Sequence, residues 1–142
     1  MKNNQLMIYG AYGYAGELMV REAVAQGLRP IIAGRDDEKL KPIATELSLE
    51  CRAFGVRNTG SNLQDISVLL NCAGPFSATA EPLARACLAQ QIHYLDITGE
   101  IDIFRKCHAL DEEARQQNVL ILPGAGTDIV PTDCLAAMLK EK

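Results

Sequence analysis

The sequence predicts a doubly wound α/β fold, in which helices cover both faces of a parallel β-sheet. Short apolar runs alternate along the 142 residues with longer segments whose apolar residues repeat at helical spacing. Glycine-rich turns follow the apolar runs, whereas the turns that follow the helices are plainer. Since the carboxyl ends of parallel strands meet at one edge of a sheet, these glycine-rich turns should converge there and form a ligand groove.

The first half of the chain is predicted as β-α-β-α-β. Strands are expected at 5–9, 30–33 and 50–54, and helices at 14–26 and 37–47. Apolar residues at i, i+3, i+4 and i+8 indicate the first helix, and Gly27 is a typical stop signal after it. Acidic residues suit the start of the second helix, where Pro42 predicts either a kink or a later start.

The second half is predicted to repeat this arrangement after a loop at 57–62 and a brief helical turn at 62–66. Strands are expected at 67–72, 92–97 and 119–122, and helices at 78–90, 100–117 and 132–140. The fourth strand is apolar throughout, which is typical of a strand buried on both faces. Six strands with helical crossovers predict a Rossmann-type parallel sheet of order 3-2-1-4-5-6, with ligand bound beyond strands one and four.

Three glycines, Gly10, Gly13 and Gly16, lie between the first strand and the first helix. Glycine permits a tight turn and a close approach to a ligand, and the free N–H groups at a helix start favour a bound diphosphate. The GxxGxxG spacing is one residue longer than the GxGxxG fingerprint, and an ordinary βα turn could carry the same glycines. The other glycine-rich loops expected at this edge favour a dinucleotide site.

The residues at the end of the second strand bear on the choice of nucleotide. An NAD site usually has Asp or Glu there to bind the ribose 2′-hydroxyl, but this sequence has Gly34 followed by Arg35. A guanidinium can pair with a 2′-phosphate and stack on adenine. NADP is therefore the expected cofactor, although Asp36 and Asp37 leave NAD open.

Composition excludes several other classes of protein. A formal net charge of −4 without a Lys/Arg block argues against nucleic-acid binding. No apolar run approaches the roughly 20 residues that cross a bilayer, and the first residues lack a signal-peptide core, so a cytosolic protein is expected. The five cysteines show no CxxC motif and no Cys/His cluster of zinc spacing, so reduced thiols and no metal site are expected.

Five stretches resemble the N-terminal NAD(P)-binding domain of the saccharopine dehydrogenase-like oxidoreductases. They stand in family order and cover nearly the whole chain. These stretches are 10–16, 33–35 with Lys39 and Leu40, 71–76, 94–100 and 123–133. The family acts by hydride transfer, and the resemblance implies an imine, carbonyl or enoyl compound as the small-molecule substrate.

The resemblance also implies roles for particular residues. The backbone around Tyr12, Tyr14 and Ala15 would hold the diphosphate, Arg35 would hold the 2′-phosphate, and 73–76 would pass beside the nicotinamide. The expected cofactor-binding residues are Gly10, Tyr12, Gly13, Tyr14, Ala15, Gly16, Gly34, Arg35, Ala73, Gly74, Pro75 and Phe76. Asp96, Thr98 and Glu100 would line the groove, and Thr127 and Asp128 would lead toward the substrate side.

Reduction of an imine or carbonyl needs a proton donor, and the acids expected near this edge are Asp96, Glu100, Asp128 and Asp133, of which Asp96 and Asp128 are the candidates. For Asp96 the alternative is structural, with the carboxylate accepting hydrogen bonds from loop N–H groups. For Glu100 and Asp133 the alternative is charge complementarity at a helix start.

Family members continue into a second domain, so residues 1–130 are expected to form the NAD(P)-binding domain and 131–142 a helix leading toward that second domain. The chain alone would then bind the cofactor without completing the substrate pocket. Apolar surface left near the sixth strand and the last helix could drive homodimer formation. The alternative function is a stand-alone nucleotide-binding or sensing module without catalysis.

Overall fold

A six-stranded, all-parallel β-sheet forms the centre of the computed structural model, which describes residues 5–140. The strands are β1 (Leu6–Tyr9), β2 (Ile31–Gly34), β3 (Cys51–Ala53), β4 (Val68–Asn71), β5 (His93–Asp96) and β6 (Ile121–Leu122). Their order in the sheet is β3-β2-β1-β4-β5-β6. The predicted doubly wound α/β fold and strand order are confirmed.

Helices connect the strands and cover both faces of the sheet. They are α1 (Tyr14–Ala25), α2 (Asp37–Leu47), α3 (Phe76–Ala89), α4 (Ile101–His108), α5 (Asp111–Gln116) and α6 (Val130–Lys140), with a 3₁₀ turn at Gly60–Leu63. Outside the 3₁₀ turn and residues 100–117, strand and helix bounds lie within two residues of the predicted ones. The suggested later start of the second helix is wrong, because α2 begins at Asp37 with Pro42 inside it.

The prediction of one continuous helix at 100–117 is also wrong. The chain breaks at Ala109 and Leu110, so that His108 ends α4 instead of lying in the middle of a helix. Charge explains the break: α4 ends in basic residues and α5 opens with three acidic ones. Cations stabilise a helix C-terminus and anions a helix N-terminus, so this charge order favours two short helices over one long helix.

The two faces of the sheet have separate apolar cores. Met7 and Tyr94 belong to the core beneath α3, α4 and α5, whereas Ile8 and Ile32 belong to the core beneath α1 and α2. Adjacent residues of β1 are therefore both buried but on opposite faces, which explains why this strand is apolar without alternation.

The last helix, α6, differs from the others because none of its residues is buried. Leu135, Met138 and Leu139 are more than half exposed. None of the helices within residues 5–140 has the length and apolarity that a bilayer span requires.

Candidate dinucleotide-binding site

A cleft of about 520 Å³ opens at the carboxyl edge of the sheet, across the ends of β1 to β4. The strand order reverses between β1 and β4, which is where doubly wound sheets bind their ligands. The turns after all four strands line the cleft, together with Ala78 and Thr79 of α3. Its volume lies in the roughly 300–1,000 Å³ range of small-molecule sites.

Two glycines of the turn after β1 are required by close contacts. Gly10 has φ +83°, and a Cβ placed on it would lie 2.7 Å from the backbone nitrogen of Ala73. A Cβ on Gly16 would overlap the carbonyl of Gly10. The Gly13 N–H donates to the Gly10 carbonyl at 3.0 Å and closes the turn, and the N–H groups of Gly10 and Ala11 donate to the carbonyl of Ala33 in β2. These contacts hold the start of α1 close against the end of β1.

The N-terminus of α1 faces this turn with unused donors. The first bond of the helix runs from the Glu17 N–H to the Gly13 carbonyl at 2.8 Å, so the N–H groups of Tyr14, Ala15 and Gly16 have no acceptor in the helix. No side chain caps this helix end. The Tyr14 side chain is 88% exposed, so its contribution at this point is the backbone N–H. Free donors and the positive end of the helix dipole fit a diphosphate.

The end of β2 is covered by an aromatic ring. A Cβ on Gly34 would lie 2.6 Å from Cε1 of Tyr12, so glycine at this position leaves room for the ring. Nζ of Lys39 lies 5.7 Å from the centre of the same ring. Tyr12 and Gly34 therefore form one wall of the cleft beside Arg35.

The carboxylates of Asp36 and Asp37, which follow Arg35, contact residues of α2 and do not line the cleft. Asp36 is the N-cap of α2, where its Oδ1 accepts from the Lys39 N–H at 3.3 Å. Asp37 pairs with Nζ of Lys41 at 2.7 Å. Arg35 is exposed and forms no ion pair or hydrogen bond with any residue in 5–140. This arrangement suits a phosphate at the 2′ position more than a 2′-hydroxyl.

The turn after β3 also lines the cleft, and sequence reasoning missed it. Gly55, Val56, Arg57 and Asn58 all contribute to the wall. The Asn58 N–H donates to the Gly55 carbonyl at 2.8 Å, which closes a β-turn. The signal was present, because these residues follow the third predicted strand at the same edge of the sheet as the glycine turn.

The loop after β4 is held by two polar side chains. Oδ1 of Asn71 accepts from the Ala73 N–H at 3.0 Å, and Oγ1 of Thr79 donates to the Ala73 carbonyl at 2.6 Å. Ala73, Gly74 and Pro75 line the cleft, and the peptide between the last two is cis.

Phe76, the last residue of that predicted loop, lies outside the cleft wall. Its ring packs against the core, and its N–H donates to Oε1 of Glu100 at 3.2 Å. Glu100 therefore places its carboxylate at the N-terminus of α3, where a negative charge is favoured.

Asp96 is buried beyond the cleft with both carboxylate oxygens occupied. Oδ1 accepts from the N–H groups of Thr98 and Gly124 at 3.0 and 2.9 Å, and Oδ2 accepts from the Tyr94 hydroxyl at 2.8 Å. Asp128, the other candidate acid, is exposed in the turn before α6. The structure does not bring the two acids into the cleft.

The remaining reactive side chains have structural surroundings. Burial raises the pKa of the Cys72 thiol to about 12, with the charge of Asp96 adding to the effect. The thiol is therefore protonated at neutral pH and a poor nucleophile. His93 accepts a hydrogen bond at Nδ1 from the Leu120 N–H at 2.9 Å. Residues 5–140 contain no cluster of three metal-ligating side chains.

A family model described as the saccharopine dehydrogenase NADP binding domain matches residues 6–122. A saccharopine dehydrogenase-like oxidoreductase of Rattus norvegicus is 27% identical over 152 residues, which cover 91% of this chain and 35% of the relative. The chain therefore spans about a third of the length of such relatives.

Solved structures show the same fold. Apo saccharopine dehydrogenase from Saccharomyces cerevisiae superposes with a TM-score of 0.75 at 12% identity, over 89% of this chain and 28% of the yeast chain. The gentamicin-biosynthesis protein GenD2, solved in complex with NAD, superposes with a TM-score of 0.64 at 16% identity, over 87% of this chain and 35% of that chain.

The expected cytosolic location is wrong, because relatives of this chain are named for other locations. One from Caenorhabditis elegans, 23% identical, is named "Lipid droplet localized protein". Another from Arabidopsis thaliana, 26% identical, is named "Probable mitochondrial saccharopine dehydrogenase-like oxidoreductase". The expectation failed because the length of apolar runs and the composition of the first residues do not specify a compartment.

Proposed function

Since this chain belongs to the saccharopine dehydrogenase NADP-binding-domain family, matched over residues 6–122, we propose that it holds NADP(H) for hydride transfer to a small-molecule substrate. The observation that carries the proposal is the cleft at the strand-order reversal, where a glycine turn and an uncapped helix start meet an arginine that has no ion pair or hydrogen bond within residues 5–140. When bound, the nicotinamide supplies or accepts the hydride. The chain itself binds, orients and shields that cofactor.

The diphosphate is assigned to the turn after β1. The N–H groups of Tyr14, Ala15 and Gly16 precede the hydrogen-bond ladder of α1 and point along the helix axis toward the turn. Gly10 and Gly16 leave no room for side chains between the turn and the helix, so the backbone can approach an anion closely. The turn after β1 and the start of α1 therefore fit the diphosphate of a dinucleotide.

Arg35 is assigned to the 2′-phosphate of NADP. Its guanidinium has no ion pair or hydrogen bond within residues 5–140, so it is available for a bidentate contact. The carboxylates of Asp36 and Asp37, which kept NAD open, are committed to the N-cap of α2 and to Lys41. NADP is the cofactor that this arrangement favours.

The nicotinamide is assigned to the loop of Ala73, Gly74 and Pro75, across the strand-order reversal from Arg35. Asn71 accepts a hydrogen bond from this loop and Thr79 donates one to it, so the loop can present a fixed wall to the nicotinamide ring. The substrate would approach from the side of the turn before α6, and its class is an imine, a carbonyl or an enoyl compound. Of the two candidate acids, Asp128 is the one whose side chain is exposed to solvent, which favours it as the proton donor.

Residues 131–142 are proposed to lead into a second domain that completes the substrate pocket. In support, α6 exposes Leu135, Met138 and Leu139, and the relatives are about three times longer than this chain. The second domain would cover the exposed face of α6. Homodimer formation through that face is the competing arrangement, and light scattering at increasing concentration of the proposed two-domain protein distinguishes the two, because a covered face cannot form the dimer.

The proposal is tested by titrating the purified protein with NADPH and NADH and repeating both titrations with Arg35→Ala. We expect NADPH to bind more tightly than NADH and Arg35→Ala to remove only that advantage. Failure of the wild-type protein to bind either nucleotide would contradict the proposal.

Catalysis needs a second experiment with the longer protein that contains both domains. NADPH deuterated at C4 is incubated with imine, carbonyl and enoyl compounds, and deuterium transfer to the product is followed by mass spectrometry. Transfer to one class identifies the substrate. Tight NADPH binding without transfer to any class would favour the alternative, a nucleotide-binding or sensing module.

A further inference from the structure

The cleft carries positive charge in a protein whose formal net charge is −4. Of residues 5–140, its wall contains Arg35 and Arg57 and no carboxylate. Acidic residues outnumber basic ones by 18 to 14 in the sequence, so a wall free of acids is a local feature and not an effect of composition. Such a wall favours a ligand with more negative charge than a diphosphate alone.

These two arginines also differ from the other six in the sequence, all of which have partners. The partners of Arg21, Arg52, Arg85, Arg105 and Arg115 are carboxylates, and Arg29 donates to the carbonyl of Ser48. Within residues 5–140, Arg35 and Arg57 have neither an ion pair nor a side-chain hydrogen bond, and both line the cleft. The guanidinium groups without partners are thus the two that face the ligand site.

The fold places Arg57 beside Arg35. β3 pairs with β2, and neighbouring strands lie about 4.8 Å apart, so the turns that follow them are adjacent. The Phe54 N–H donates to the Gly34 carbonyl at 2.8 Å, which ties the start of the β3 turn to the end of β2. Arg57 is the third residue of the β-turn that follows.

A buried side chain anchors the same turn from below. The Tyr9 hydroxyl donates to the Phe54 carbonyl at 2.9 Å, and the two rings lie 5.2 Å apart between centroids. Tyr9 ends β1, directly before the glycine turn, so one residue connects the floor of the cleft to the turn that carries Arg57. The position of Arg57 is therefore set by contacts with the strands that build the nucleotide site.

We infer that Arg57 is a second ligand of the 2′-phosphate and forms a two-arginine clamp with Arg35. A phosphate monoester carries about −1.5 to −2 charges near neutral pH and presents three acceptor oxygens, which is more than one guanidinium neutralises. Two guanidinium groups can share those oxygens through separate charge-assisted hydrogen bonds. The inference rests on the proposed NADP site and adds a specificity-determining residue to it.

The test compares ligands that differ only by the 2′-phosphate, namely 2′,5′-ADP with 5′-AMP and NADPH with NADH, by calorimetry at fixed ionic strength. Arg57→Ala should weaken the binding of 2′,5′-ADP and NADPH roughly tenfold or more, which is the loss expected for one charged hydrogen bond. The affinities for 5′-AMP and NADH should stay unchanged. Arg57→Lys keeps the charge without the bidentate fork, so its affinity for 2′,5′-ADP and NADPH should lie between those of the wild type and Arg57→Ala. Arg105→Ala is the matched control, since Arg105 is exposed on α4 outside the cleft.

The outcomes separate the clamp from the proposed function. If the wild-type protein prefers NADPH and only Arg35→Ala removes that preference, the clamp is wrong and the NADP site stands. Equal loss of NADPH and NADH in both Arg57 variants would show a role in nucleotide binding generally and would also overturn the clamp. If the wild-type protein binds NADPH no better than NADH, the assignment of the 2′-phosphate site fails together with the clamp.

Discussion

The hydroxyl of Tyr94 donates a 2.8 Å hydrogen bond to Oδ2 of Asp96, and both side chains are fully buried on the same face of β5. The same hydroxyl accepts from Nδ2 of Asn71 at 3.1 Å, on the neighbouring strand β4. Asn71 in turn accepts a hydrogen bond from the Ala73 N–H, and Asp96 accepts one from the Gly124 N–H. One buried network therefore joins the loop proposed for the nicotinamide to the turn after β6.

Replacing Tyr94 with Phe should destabilise the protein by about 1–3 kcal/mol, because Oδ2 of Asp96 loses its donor in a buried site while the ring still fills its space. Urea denaturation measures the change in the free energy of unfolding. Tyr14→Phe is the control, since that side chain is 88% exposed, and it should change stability little. Equal stability of wild type and Tyr94→Phe would mean that the network contributes nothing.

Asp96→Asn distinguishes a positioning residue from a proton donor. The amide oxygen can still accept from the Thr98 and Gly124 N–H groups, so we expect a folded protein that binds NADPH nearly as the wild type does. Asp96→Ala removes all three acceptor contacts and should both destabilise the fold and weaken NADPH binding. If Asp96→Asn abolished turnover in the proposed two-domain protein while NADPH affinity and stability stayed normal, Asp96 would be a proton donor after all.

Gly16→Ala should reverse the usual effect of replacing glycine in a helix. Alanine normally stabilises a helix by about 0.5–1 kcal/mol over glycine. Here its Cβ would overlap the Gly10 carbonyl and push α1 away from the turn. We therefore expect lower thermal stability and loss of NADPH binding, measured by melting curves and calorimetry.

Gly99→Ala is the matched control for that substitution, because a Cβ at Gly99 meets nothing within 4 Å. It should leave melting temperature and NADPH affinity near their wild-type values. A Gly16→Ala protein that binds NADPH normally would show that the close approach of α1 to the turn is not required.

The buried thiols should make the protein less stable in alkali. Burial raises the pKa of the Cys72 and Cys87 thiols to about 12 and that of Cys107 to about 11. Thiols of the unfolded chain have a pKa of about 8.5, so above that pH the unfolded state loses protons that the folded state keeps. This stabilisation is complete below the unfolded pKa and is lost as the pH rises toward 11–12.

Urea denaturation at pH 7.5 and pH 10 checks this sign, with a lower free energy of unfolding expected at pH 10. Cys87→Val keeps an apolar side chain of similar size and should reduce the dependence on pH. Cys134→Ser serves as the control, because Cys134 is exposed and its replacement should leave the dependence unchanged. Equal dependence in wild type and Cys87→Val would contradict the assignment to buried thiols.

Local sequence patterns were sufficient for the strand order and the glycine turn. Alternating strands and helices permit few parallel topologies, since crossovers are right-handed and short, and the order 3-2-1-4-5-6 follows from them. The backbone at residue 10 has a positive φ, and residue 16 has no space for a Cβ. Both positions therefore require glycine, which the sequence shows directly. The break between α4 and α5 was missed, although the charges of residues 105–113 indicated it.

The sequence by itself determined the fold class, the edge of the sheet that carries the cleft, and Arg35 as the residue after β2, because each depends on order along the chain. Only the tertiary structure decided that the Gly124 N–H donates to the buried Asp96 carboxylate and that Arg57 reaches the cleft. Both outcomes depend on which turns lie side by side and which side chains are buried. They bring together residues distant in sequence, so no local pattern specifies them.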